Sequence, residues 1–400
     1  MPAPSHKQAV ETPMTELIFD WKHVAFAANR AFTETYGFSG SQGLTHLEGI
    51  LIRPGSPSRT LLIFMHPAST LQLLPLPRAL AGAGHHVLCA GSRYQRNDTA
   101  LIMENVLLDL GAWIRAAKEE WGYEKIVLCG WSGGGSLTML YQSQAERPTI
   151  TETPAGDPVD VKGAGLIAAD GVVSLAAHSS RALLLTEWLD GSVRNEDNPD
   201  DRDTGLDLYA PAMKSRDEPF PGEFVARYRA AQRARMARIT DRVLETLDTL
   251  RRRGGGEVER VFVTHRTMAD PRFLDPTIDP NGRKPGWTYL GNPETVNSGP
   301  VGLGRVSTLR SWLSQWSPHH SRADSLVTAR GVTVPFLALE CGADDAVPQP
   351  HTTRIFAAVG SSDREQKMVE GANHYFVNQP AELASATRIV SDWVRAKGLG

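Results

Sequence analysis

The chain has 400 residues, 41% hydrophobic and 22% charged, which excludes a disordered chain or a fibre and suggests about two or three compact units. Lys and Arg total 42 against 45 Asp and Glu, a formal net charge of -3, so no strong field draws the chain to nucleic acid or anionic lipid. No apolar run reaches the roughly 18 residues of a membrane span, the opening MPAPSHKQAVETPMTE carries no signal-peptide core, and three cysteines make no disulfide framework; a reducing cytoplasm is the expected compartment.

Residues 1 to about 15 read as a flexible arm. Two strand-like stretches follow, 17–26 and 45–54, with apolar alternation and β-branched residues. The run from Thr60 to Pro67 is short and continuously apolar, as expected of a strand buried on both faces. Residues 71–84 read as a proline-interrupted helix closing at glycine, and 85–94 as the next buried strand. The clearest helix covers 99–122, where Leu101, Val106, Leu107, Leu110, Trp113 and Ile114 share one face. Asp98 or Thr99 could cap its start and Gly122 its end. Residues 125–135 read as a strand entering a glycine-rich turn, 136–146 as a helix, and Gly163–Asp170 as another buried strand. The rhythm returns late, with strands at Val334–Gly342 and 365–371 and helices at 351–360 and 381–398. Strands alternating with helices imply a mostly parallel central sheet covered by helices on both faces.

The middle breaks this pattern. Between Asp170 and Val334 lie 163 residues, whereas connections in such sheets usually take about 2–6. We therefore expect an α/β domain made of residues 1–172 and 331–400, interrupted by a mainly helical cap at 173–330. A long helix is predicted over about 222–253, with Ile239, Val243, Leu247 and Leu250 as its apolar stripe and its arginines on a solvated face. Residues 265–304 are rich in Pro and Gly and read as irregular. Aromatics such as Trp188, Tyr289, Trp312 and Trp316 should build the cap's own core, and two or three could roof a pocket.

Chemistry concentrates at Gly130-Trp131-Ser132-Gly133-Gly134. It fits G-x-S-x-G between a predicted strand and a predicted helix, the context of a nucleophile elbow. A serine on so sharp a turn leaves no room for side chains two positions either way, and the helix N-terminus adds partial positive charge. On this motif, with its flanking strands and helices, the sequence resembles the α/β-hydrolase superfamily, on both sides of the insertion. That resemblance implies the chain order nucleophile, acid, histidine.

The implied general base is His374, in Gly371-Ala372-Asn373-His374, after the last predicted strand. A serine hydroxyl needs such a base to become nucleophilic. The implied acid lies in Gly342-Ala343-Asp344-Asp345-Ala346-Val347-Pro348. Asp344 is first choice by its spacing to the Val-Pro pair, Asp345 second, and Asp170 third, since some relatives place the acid after an earlier strand. The oxyanion hole should draw on the N–H groups of Gly133 and, after the Thr60–His66 strand, of Ala68. Pro67 has no N–H to give, so the chain departs here from the family's His-Gly pattern, and His66 reads as an orienting residue. Arg93 is read as structural. Cys89, Cys129 and Cys341 fall in predicted strands as buried thiols. No cysteine or histidine spacing fits a metal, and neither metal nor cofactor is expected.

The resulting expectation is a metal-free serine hydrolase acting on a small-molecule carboxylic ester or lactone with a bulky, largely apolar acyl or alcohol group. Amide, thioester or carbon–carbon bond hydrolysis through the same triad is the alternative, and a non-catalytic ligand-binding role a further one. An apolar cap could also support a homodimer.

Overall fold

The computed structural model describes residues 16–27, 44–214, 218–347 and 349–400; the arm expected over 1–15 and Pro348 of the acid motif lie outside them. An 8-stranded sheet organises the chain. Its strands are β1 (Ile18–Ala27), β2 (Leu44–Arg53), β3 (Thr60–Met65), β4 (His86–Ala90), β5 (Lys125–Trp131), β6 (Gly171–Leu175), β7 (Phe336–Cys341) and β8 (Arg364–Val369). They lie in the order β1-β2-β4-β3-β5-β6-β7-β8. β2 runs antiparallel to both neighbours, and every pair from β4 to β8 is parallel. The longer helices are α1 (Pro75–Gly82), α2 (Met103–Glu119), α3 (Gly133–Glu146), α4 (Arg181–Trp188), α5 (Gly222–Arg253), α6 (His351–Ala358) and α7 (Pro380–Ala396); α4 and α5 belong to the insertion and the others cover the sheet.

The period-2 alternation of strand side chains divides the apolar runs between two cores. Leu61, Ile63, Ile126, Leu128 and Phe336 point to the face covered by α2 and α3. Leu62, Phe64, Val127, Cys129 and Leu337 point to the opposite face, under α1 and α7. Both faces are therefore dry, which is why these strands read as continuous apolar runs. All three cysteines are buried and free.

Two boundaries differ from expectation. The strand after α3 is Gly171–Leu175, later than the predicted Gly163–Asp170. Pairing decides this: β6 must align with β5, where Val127 faces Gly171 and Trp131 faces Leu175. The earlier apolar run is a connector whose carbonyls are taken by side chains of α3, Ile167 by the Tyr141 hydroxyl at 2.9 Å and Ala169 by the Gln142 amide at 3.3 Å. Helix α2 begins at Met103 and has no local side-chain cap. The Met103 N–H instead donates to the Ser314 hydroxyl at 2.8 Å, far along the chain.

The described residues of 176–335 add no strand to the large sheet. The 32-residue α5 dominates this insertion. Its expected stripe, with Met236, packs on Leu185, Leu309, Trp312, Leu313 and Trp316. Two short two-stranded ribbons and long irregular stretches complete it. The predicted solvated arginine face is only partly so. Arg235 is fully buried, held by Glu196 at 2.8 Å and by backbone carbonyls.

Candidate active site

β5 runs straight into α3, and Ser132 occupies the joint with φ 52° and ψ -119°. A residue with a Cβ is strained in that region. Close packing holds the turn there. A Cβ on Gly130 would stand 2.6 Å from the Gly134 carbonyl oxygen, and one on Gly134 would stand 2.3 Å from the Met65 carbonyl oxygen. The glycines of the motif are thus fixed by contacts with backbone, which cannot swing aside. Ser132 N–H donates to the Leu175 carbonyl at 3.0 Å and locks the turn to β6. Gly133 opens α3, so its N–H is among the donors that a helix start leaves without an intrahelical acceptor.

His374 and Asp344 meet across two loops, one after β8 and one after β7. His374 Nδ1 lies 3.0 and 3.1 Å from the two Asp344 carboxylate oxygens. Asp344 Oδ1 also accepts the N–H groups of Ala346, at 2.8 Å, and Val347, at 2.6 Å. Both side chains are buried, at 1% and 2% exposure, so the pair is shielded from competing water. Among the described residues, Asp345 reaches only the His374 backbone, accepting its N–H at 3.3 Å. Burial, reinforced by the Asp344 charge, pushes the Asp345 carboxyl up. Asp170 lies at the other end of the sheet. It precedes β6, accepts the Ile126 N–H at 2.9 Å where β5 starts, and pairs with Lys125 and Lys118. It is a strand-start anchor, and the structure does not bring it to the elbow.

A cavity of about 410 Å³ opens above the elbow, lined by Ser132, Trp131, His66, Ala68, Arg181 and Tyr289 among others. Trp131 and Tyr289 also bracket the His374 ring, with centroids 6.3 and 5.9 Å away. Trp188 and Tyr289 are the insertion's aromatic contributions to the wall. Among the described residues, the Ser132 hydroxyl has no hydrogen-bond partner.

His66 occupies the place expected of the second oxyanion donor's loop. Its Nδ1 accepts the N–H of Ala68 at 3.1 Å and of Ser69 at 2.9 Å. The Ala68 N–H, expected to face the reacting oxygen, is therefore turned into the imidazole. Burial first, then the charges of Arg181 and His374, push the His66 ring well below the usual histidine range. A neutral ring that accepts two donors at Nδ1 must carry its proton on Nε2. That Nε2 sits 2.7 Å from where a Gly133 Cβ would stand.

Sequence reading missed four side chains of this wall: Arg181, Asp98, His178 and Arg96. Arg93, read as structural, is so: it clamps buried Asp109 at 2.7 and 2.9 Å. Among the described residues no group of three or more His, Cys, Asp or Glu could hold a metal ion, and no helix is long and apolar enough to cross a membrane.

No protein-family model matches the sequence, and no curated protein does. Solved structures do resemble it. The α/β hydrolase GrgF from Penicillium sp. sh18 is 11% identical, with a TM-score of 0.49 over 94% of this chain and 98% of that one. DcsB, solved in complex with its substrate analogue, is 12% identical, with a TM-score of 0.49 over 89% and 96%. Est1E from Butyrivibrio proteoclasticus is 12% identical, with a TM-score of 0.46 over 94% and 100%. The chain has the α/β-hydrolase fold. That statement rests on its own strand order, crossover pattern and strand–elbow–helix joint, and none of these likenesses bears on a substrate.

Proposed function

We propose that the chain is a serine hydrolase of carboxylic esters or lactones, acting through Ser132, His374 and Asp344. The observation that carries this is the strained Ser132 elbow opening on a cavity two of whose lining rings, Trp131 and Tyr289, flank the Asp344-held His374. The hydroxyl, free of partners, turns toward the imidazole. His374 Nε2 takes its proton as Oγ attacks the carbonyl carbon. Asp344 fixes the tautomer, keeping the ring proton on Nδ1, and stabilises the cation that forms. His374 then passes the proton to the leaving alcohol, and water repeats the sequence on the acyl-enzyme.

The developing oxyanion would be met by the Gly133 N–H and, in our reading, by the His66 Nε2–H. The Ala68 N–H keeps that imidazole in the donating tautomer. A preorganised donor in a water-poor cleft is worth about 10²–10³ in rate. Amide, thioester and carbon–carbon bond cleavage use the same groups and differ only in the leaving-group side of the cavity. The insertion would act as the cap that builds that side.

The test is twofold. An organophosphonate probe should label Ser132, identified by peptide mass spectrometry, in the wild type but not in Ser132→Ala. Turnover of short esters should fall by several orders of magnitude in Ser132→Ala and His374→Ala. Wild-type rates in either variant would refute the triad, and an unlabelled Ser132 would favour a binding role.

A further inference from the structure

Arg181 is the first residue of α4, directly after its N-cap Ser180, and is 3% exposed. Both circumstances disfavour a cation: the helix start is the positive end of its dipole, and burial removes the guanidinium's water. Two partners hold it. Nη2 donates to Asp98 Oδ2 at 2.6 Å, and the guanidinium lies 4.4 Å from the Trp316 ring centroid. Trp316 is presented by a π-helical turn, Trp312–Trp316, a geometry that recurs at functional sites.

The rest of the fork is unsatisfied. Nε is buried and, among the described residues, without a hydrogen-bond partner. Nη1 lies 3.3 Å from where a Gly133 Cβ would stand, beside the nucleophile. At the cavity's mouth stands Arg96, exposed and, among the described residues, without an ion pair. The charged lining is thus two arginines against one aspartate. The lining histidines add nothing, because burial holds His66 and His178 neutral. Leu71, Leu184, Trp188 and Leu303 supply an apolar stretch of the wall, beside the hydroxyl-bearing Ser69, Thr70, Tyr289 and Tyr375.

We propose that the substrate bears a carboxylate on its acyl part, a few carbons from the scissile carbonyl, bound by Arg181 with Arg96 closing over it. One uncompensated positive charge matches a monoanion rather than a phosphate dianion. A guanidinium with donors to spare is the side chain suited to a planar carboxylate. The leucine and tryptophan wall takes the hydrocarbon remainder. This departs from the wholly apolar substrate expected from the sequence, and it rests on Ser132 being the nucleophile.

The test compares alkyl monoesters of succinic, glutaric and adipic acids with counterparts whose free carboxylate is capped as a primary amide, following proton release in a pH-stat. Wild type should favour one carboxylated ester in kcat/KM by roughly ten- to a hundredfold, the weight of a hydrogen bond to a charged group. Arg181→Gln should abolish that ratio. Should Arg181→Gln not fold, Arg96→Gln should shrink the ratio, and added salt should shrink it further. Ser132-dependent turnover with no preference for the carboxylated ester, or a preference untouched in the arginine variants, overturns this proposal alone. A larger preference for a phosphate-bearing ester of equal length overturns the carboxylate assignment. Absence of any Ser132-dependent turnover or labelling overturns the hydrolase reading and this proposal with it.

Discussion

Replacing Ser132 by glycine should make the protein more stable than replacing it by alanine, although both variants lose the proposed nucleophile. Ser132 holds φ 52° and ψ -119°, a conformation that costs a residue with a Cβ about 1–3 kcal/mol. Alanine keeps the Cβ and hence the strain. Glycine removes it but gains freedom in the unfolded chain, an opposing term of about 0.5–1 kcal/mol. The hydroxyl has no hydrogen-bond partner among the described residues, so its loss is common to both variants and nearly neutral. The glycine variant should therefore exceed the alanine variant by about 1 kcal/mol, or ~1 °C in melting midpoint for a chain of 400 residues. Circular dichroism melts and urea titrations of wild type and both variants at one pH make the comparison. A glycine variant at or below the alanine variant would show that the elbow does not store strain of this size.

Four further outcomes follow from the same geometry. His66→Ala should lower kcat by about 10²–10³ with little change in KM, as for loss of an oxyanion donor; steady-state kinetics giving kcat within about threefold would show that the imidazole only orients the loop. Asp344→Asn should cost about 10⁴ in kcat through the wrong histidine tautomer, while Asp345→Asn should cost less than about tenfold; equal losses would contradict the pairing seen here. Gly134→Ala drives a Cβ to 2.3 Å from the Met65 carbonyl, an overlap worth about 3 kcal/mol, and the urea midpoint should fall accordingly. Burial works to raise the Asp190 and Asp270 carboxyls, but Arg266 for the first and Arg229 and Arg272 for the second outweigh it and hold both low. They stay ionised when folded and protonate at about pH 4 when unfolded. Their contribution is thus complete above that pH and is lost below it, so tryptophan fluorescence should report the insertion loosening in acid before the sheet does.

Local chemistry explains what the sequence made legible. The apolar runs of β3, β5 and β7 are long enough, and bounded sharply enough by glycine and proline, to be strands. G-x-S-x-G announces its own turn because only glycine fits two backbone contacts. The family resemblance pointed to Asp344 and His374 in loops after strands, and the two side chains pair. What stayed hidden depends on partners distant in sequence. The N-terminal end of α2 is satisfied by Ser314, and nothing near Met103 signals this. Asp170 ends an apolar run yet starts a strand, because register with β5 outweighs local composition. The Ala68 N–H could be placed only once the His66 ring orientation was known. Arg181 reads as an ordinary helical arginine; its burial comes from Trp316 and Asp98, well over a hundred residues away on one side and some eighty on the other.

Asn281 Nδ2 donates to the Asp344 carbonyl at 2.9 Å, Gly282 N–H to the Gly342 carbonyl at 2.9 Å, and Tyr289 N–H to the Asp345 carbonyl at 3.3 Å. Three rivets therefore fasten the roof to the very loop that steers the imidazole. Under the proposed triad, lifting this part of the roof to admit a molecule would loosen the aspartate's grip, and settling it again would restore the grip.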